Sequence, residues 1–468
     1  MVSLSGSALD SLRTGFGGEL ILPADAGYDD GRSLWNGDID RRPAVIACAS
    51  SADDVAAAIR FARDHDLEIA VRGGGHSFAG HGAGDDGLMI HLGRMRDVTV
   101  DPGAHRVRCG PGTTWADLDA ATQAHAQAVP GGQISHTGVA GLSLGGGIGW
   151  LTNTAGLSCD NLVSARVVTA DERVVTASAT ENADLHWALR GGGGNFGVVT
   201  EFEFSTHDVG PLVNLGLFFW SVEKGAEALR FIRDFVSRAP DDVAAQVIGL
   251  NAPPAPFVPE QFHFAPCYGL AVIGFGTPEE HAALVEPIRA DYPPLFDFVT
   301  PIPFTDLQKM LDESAPWGIR AYEKALYVEA PVSDDALDVI ADFLPRKASP
   351  MSIMPVFPLK GAYTRVGVDD TAFGGPRVPM WVVNIAAIAP DPDLLATDRA
   401  WVRSFWEALL PYASSDGGYV NFQNDVDEQR VRESYGAAKY DRLARVKAEY
   451  DPDNVFHKNA NINPAVAV

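Results

Sequence analysis

Positive charge is scarce in this chain: 36 Lys and Arg stand against 61 Asp and Glu in 468 residues, a formal net charge of −25. That deficit argues against nucleic acid and anionic membrane surfaces as electrostatic partners. The acidity serves solubility and leans toward neutral or cationic substrates, and an acid-rich host lineage explains it equally well. Cysteine is nearly missing, and Cys48, Cys109, Cys159 and Cys267 form no C-x-x-C pair or metal spacing, which argues against a disulfide scaffold or a metal site. No apolar run reaches the ~20 residues of a membrane helix. Met1 to Leu22 lacks a basic start followed by an apolar core, so no secretory signal is read there. The expectation is a soluble, cytoplasmic protein with no membrane, nucleic-acid or metal partner. Its length suggests two or three domains.

Glycine, by contrast, is plentiful and clustered. The apolar stretch Leu67 to Val71 delivers Arg72-Gly73-Gly74-Gly75-His76-Ser77 into one turn, followed by Gly80 and His81. Three glycines in a row remove every Cβ, so backbone N–H groups can approach a pyrophosphate closely. A second run holds Ser135, His136, Thr137, Gly138, Gly141, Leu142, Gly145, Gly146, Gly147, Gly149 and Trp150. The third, Arg190 to Thr200, includes Asn195, Gly197, Val198 and Val199. Although Gly192 to Gly197 matches G-x-G-x-x-G, a helix at 184–189 precedes it and a strand at 198–204 follows. That is the reverse of the strand-then-helix order a Rossmann site needs.

Around these runs, residues 43–72 read as strand, helix and strand, with Ser50 or Ser51 as N-cap. Alternation predicts short strands in Leu88–Leu92, Val98–Val100 and Arg106–Cys109, and Thr114 to His125 reads as a helix. Beyond Phe204 the glycine runs stop. Strands at 325–329, 352–359 and 380–387 then mix with helices at 224–238, 279–291 and 334–343, so a sheet covered by helices on one side is expected. A composition shift marks a boundary near residue 208.

The three glycine runs, with Gly418-Tyr-Val-Asn-Phe422, Tyr450 to Phe456 and Asn459 to Asn463 in order, resemble the berberine-bridge-enzyme-like FAD-linked oxidases of the vanillyl-alcohol-oxidase (PCMH-type) superfamily. The resemblance spans residues 18 to 464 and implies an α+β fold: a two-subdomain PCMH-type FAD-binding domain plus an α/β substrate domain with an antiparallel sheet covered by helices. The implied division is 1–208 for FAD, 209–409 for substrate, and 410–468 returning to the FAD domain, where Asn459 would contact the flavin.

The same resemblance implies FAD joined covalently through its 8α carbon to His76. Some relatives add a second link from a cysteine four residues before the glycine matching Gly138, but position 134 is isoleucine, implying a single link. Two further departures are His91, where relatives usually have aspartate, and Ala155, where many have tyrosine. Ser135 and His136 would line the flavin edge, with Thr137 and Leu142 on the oxygen side. Tyr419 is the candidate for proton abstraction, since Tyr-x-Asn alternation would set Tyr419 and Asn421 on one strand face.

The implied activity is an oxidase taking hydride from a small-molecule alcohol, amine or activated ring carbon, with molecular oxygen reoxidising the flavin to give hydrogen peroxide. Residues 435–452 look most like bacterial single-link members that tailor secondary metabolites or oxidise hydroxynicotine-like amines. A dehydrogenase with a non-oxygen acceptor and a catalytically silent flavin-binding protein are the rivals.

Overall fold

A computed structural model describes residues 5–415, 417–425 and 427–466. The chain begins with a small sheet in the order Glu19–Ile21, Val45–Cys48, Leu88–His91, Ile69–Arg72. Strand Leu88–His91 runs parallel to both neighbours, with His91 beside Cys48 and Arg72. Its residues are buried through Ile90 rather than alternating, because a central parallel strand is covered on both faces. Helix Ala52–Asp64 is capped by Ser51, whose hydroxyl accepts the Asp54 N–H at 3.1 Å. This unit ends at Arg72, which fixes where the first glycine run starts.

A five-stranded antiparallel sheet follows, in the order Val98–Asp101, Arg106–Cys109, Val198–Ser205, Leu162–Val168, Val174–Ser178. Helix Trp115–Gln123 opens on a capping box in which Thr114 and Asp117 satisfy each other's backbone N–H groups. The third glycine run lies between helix Ala183–Leu189 and strand Val198–Ser205, so the order rejecting a Rossmann site is observed.

Seven antiparallel strands then form the largest sheet, in the order Phe296–Pro303, Leu212–Ser221, Pro266–Gly274, Ala244–Asn251, Met354–Leu359, Met380–Ala389, Arg320–Glu329. Helices Ala226–Arg238, Pro278–Asp291, Asp334–Phe343 and Pro392–Leu409 cover one face, and Leu229, Ile288, Leu337 and Phe405 interlock there with Val247, Leu326 and Val383. Because side chains alternate along each strand, the other face carries a separate set including Glu323, Pro355 and Asn384.

One local expectation is corrected. Tyr419 starts a single 3₁₀ turn, Val420–Phe422, and not a strand. Tyr419 and Asn421 still meet, through a 2.8 Å hydrogen bond from Asn421 Nδ2 to the phenol oxygen, so a turn does what alternation was expected to do. Among the described residues no helix is long and apolar enough to cross a membrane.

Candidate flavin and substrate site

A cavity of about 410 Å³ opens between the glycine runs and the uncovered face of the seven-stranded sheet, within the roughly 300–1,000 Å³ typical of cofactor sites. The first run supplies Arg72, Gly73, Gly74, Gly75, His76, Ser77 and His81 to its wall; the second supplies Thr137, Gly138, Gly141, Leu142 and Gly145; and the third supplies Asn195, Gly197, Val198 and Val199. Asn421 and Asn459 arrive from the C-terminal segment. Gly74 and Gly138 explain why side chains are missing here. A Cβ on Gly74 would lie 2.4 Å from the backbone of Gly138, so the two runs touch main chain to main chain.

Several expected wall residues instead hold the loops in place. A Cβ on Gly80 would strike Ile39, and one on Gly149 would sit 1.7 Å from the Gly131 carbonyl oxygen. Gly146 and Gly147 adopt positive φ beside Phe373 and Ser158. Trp150 is core, packed with Val213 and Leu215. Ser135 turns away to Asp312, its N–H and hydroxyl donating to the two carboxylate oxygens at 2.8 and 2.6 Å. Asn195 reaches the wall, yet its amide is spent on the backbone. Nδ2 donates to the Gly192 and Ala460 carbonyls, and Oδ1 accepts the Ile462 N–H.

His76 has its ring stacked on Trp35 at 4.5 Å and 15°, with Nε2 3.1 Å from His136 Nδ1. Burial, helped by His136, pushes its imidazole down to about 3, so the ring is neutral at physiological pH. His136 reaches the site through this contact and is not itself on the wall. Trp35 is braced in turn, its N–H donating to the Gly75 carbonyl at 2.9 Å and its indole to the Ala315 carbonyl at 2.8 Å. Sequence reasoning passed over Trp35, and no motif marks it. His81 and His91 are each lowered to about 4, chiefly by burial, with Lys458 and Arg72 adding to the effect.

Tyr419 is placed differently from the expectation. It is buried behind the wall, its oxygen accepting the Gly147 N–H at 2.7 Å as well as the Asn421 amide. Burial raises its pKa, the opposite of what a proton acceptor near neutrality requires. In this geometry the phenol braces the glycine turn.

The sheet face opposite is mainly apolar, with Ile248, Ile353, Pro355, Phe357 and Ile388 on the wall. Against it stands a polar pair that the sequence did not flag. Glu323 is fully buried, accepts Asn384 Nδ2 at 2.8 Å, and is pushed up to about 8 by burial.

A dinucleotide flavin fits these residues. The buried Arg72 Nε and Asn459 Oδ1 have no partner within the protein. A Cβ built on Gly141 or Gly194 meets nothing within 4 Å, so open space lies beside both loops. Among the described residues no cluster of His, Cys, Asp or Glu could hold a metal.

Comparison with known proteins agrees. A model for the FAD binding domain matches residues 43–178, and one described as berberine and berberine like matches 418–463. The chain is 30% identical to (R)-6-hydroxynicotine oxidase of Paenarthrobacter nicotinovorans over 96% of this chain and 97% of that one. The crystal structure of 6-hydroxy-D-nicotine oxidase from Arthrobacter nicotinovorans superposes with a TM-score of 0.87 at 28% identity, covering 99% of this chain and 100% of that one. Glucooligosaccharide oxidase from Acremonium strictum, described with 6-S-cysteinyl, 8α-N1-histidyl FAD, shares the fold with a TM-score of 0.85 at 24% identity, covering 99% of this chain and 100% of that one. With its glycine-walled cavity and berberine-like C-terminal segment, the chain belongs to the berberine-bridge-enzyme-like FAD-linked oxidases of the PCMH-type flavoprotein superfamily.

Proposed function

We propose that FAD fills this cavity and is joined to the chain at one point, between His76 and the 8α carbon of the isoalloxazine, and that the enzyme oxidises a small molecule at the expense of oxygen. The observation that carries the single link is His76 itself, a neutral imidazole on the cavity wall, held between Trp35 and His136. Ile134 lines the wall where two-link relatives carry cysteine, and among the described residues no cysteine reaches it. Bound flavin supplies a two-electron acceptor that takes hydride and passes its electrons to oxygen, giving peroxide.

The chain's part is binding, orientation and exclusion of water. Residues 72–77, 137–145 and 193–199 would hold the cofactor, and Asn459 would meet it from the C-terminal segment. The apolar sheet face would keep water from the reacting carbon. This reading divides the chain into a flavin module, 1–208 with 410–468, and a substrate module, 209–409. In its support, Asn459 donates to the Gly194 carbonyl, and the seven-stranded sheet uses only strands between residues 212 and 389. Four unpaired cysteines favour a cytoplasmic setting, and a role in tailoring secondary metabolites suits the resemblance at 435–452.

Acid precipitation of the purified protein tests the link. The pellet should stay yellow, and its flavin peptide should contain His76 and no modified cysteine. A colourless pellet, or a cysteinyl flavin, overturns the single-link reading. Peroxide formation on mixing with a substrate that bleaches the flavin separates an oxidase from a dehydrogenase.

A further inference from the structure

We propose that the Glu323 carboxyl and the Asn384 amide form the docking point for the basic nitrogen of an amine substrate carried on an apolar body. The inference deepens the oxidase reading and rests on it.

The pair is built by strand register. In the antiparallel ladder Glu323 stands opposite Ala386 and Asn384 opposite Ala325, so the two are diagonal neighbours on the cavity face. Asn384 Nδ2 donates to Glu323 Oε2 at 2.8 Å, which orients both groups. Glu323 Oε1 and Asn384 Oδ1 remain buried with no partner in the protein. Two orphaned oxygens on the wall of a cavity call for polar partners from a ligand, because a buried polar atom left unpaired is costly.

A substrate hydroxyl brings one donor and no charge. A primary or secondary amine takes up the proton that the buried carboxyl holds in the free protein and docks as an ammonium, bringing two or three N–H donors and the positive charge that a buried carboxylate lacks. Lys324, next in the chain, does not supply that charge to the cavity, since it crosses to the helix-covered face. There its Nζ lies 4.4 Å from the Trp406 ring and 3.5 Å from Asp425. Around the pair, Ile353, Pro355, Phe357 and Ile388 offer apolar surface to the rest of the molecule. The overall charge of −25 draws cations toward the site.

The flavin-loaded protein can be titrated without oxygen with benzylamine and with benzyl alcohol, two probes of nearly equal size, following the visible flavin band. Benzylamine should bind at least tenfold more tightly than benzyl alcohol, and Glu323→Gln should bring the ratio below threefold at unchanged flavin content. Equal binding in the parent, no saturable benzylamine binding, or a tenfold preference surviving in Glu323→Gln would each overturn the inference. If Glu323→Gln does not fold, benzyltrimethylammonium replaces the variant: it keeps the charge and has no N–H, so it should bind at least tenfold more weakly than benzylamine, and equal binding overturns the docking geometry. A protein without flavin refutes the oxidase reading, whereas a flavin-loaded protein that prefers the alcohol refutes only the amine site.

Discussion

His76 and His136 are hydrogen-bonded to each other, with Nε2 of the first 3.1 Å from Nδ1 of the second and ring centroids 4.9 Å apart. Burial lowers the pKa of both rings, so one proton is shared between two neutral imidazoles. With that proton on His76 Nε2, the lone pair of His76 falls on Nδ1, the nitrogen that the proposed link would use. His136→Phe removes the acceptor and frees the tautomer. We expect covalent attachment to slow roughly tenfold, on the order of 1.4 kcal/mol of barrier, while noncovalent FAD is still retained. His136→Gln, whose amide oxygen can accept, should recover much of the rate. Unchanged attachment in His136→Phe would show that His136 does not orient His76.

Tyr419→Phe separates bracing from proton transfer. The phenol oxygen accepts the Gly147 N–H, so its loss leaves a buried donor unpaired, and roughly 1–3 kcal/mol of stability should go with it. Flavin reduction by substrate should slow by less than tenfold. A general base would instead cost about 10²–10⁴-fold. A loss of that size at unchanged melting temperature would place the phenol against the reacting carbon in the loaded enzyme.

How much of this was legible in the sequence depends on whether the chemistry is local in the chain. The Arg72–Ser77 loop was readable because its strand, its glycines and its histidine are consecutive. The contact between Gly74 and Gly138 could be inferred only as two loops meeting at one cofactor. Trp35 escaped notice because a lone tryptophan has no spacing to mark it, and what makes it part of the site is a stack on a residue 41 positions away. Glu323 and Asn384 were invisible for a related reason. They lie on different strands, and only the register that sets Glu323 opposite Ala386 brings them together. The misreading at Tyr419 arose because Tyr419 itself is extended, with φ −67° and ψ 120°, and the 3₁₀ turn begins only at Val420.

Glu323 should also make the protein less stable as pH rises. Its carboxyl titrates at about 8 when folded against 4.5 as an ordinary glutamate, because burial disfavours the charged form. Below 4.5 both folded and unfolded chains hold the proton, and above 8 neither does. Between those values the folded protein keeps a proton that the unfolded chain has released, so stability falls with rising pH across that window and levels off beyond it. Glutamine does not titrate. The stability of Glu323→Gln relative to the parent should therefore climb from pH 5 to pH 8.5, by about 4 kcal/mol at the upper bound and by roughly half that once the site relaxes and admits water. Melting curves of the substrate-free protein at the two pH values measure it. A constant offset between variant and parent would mean that the Glu323 carboxyl ionises like a glutamate in water.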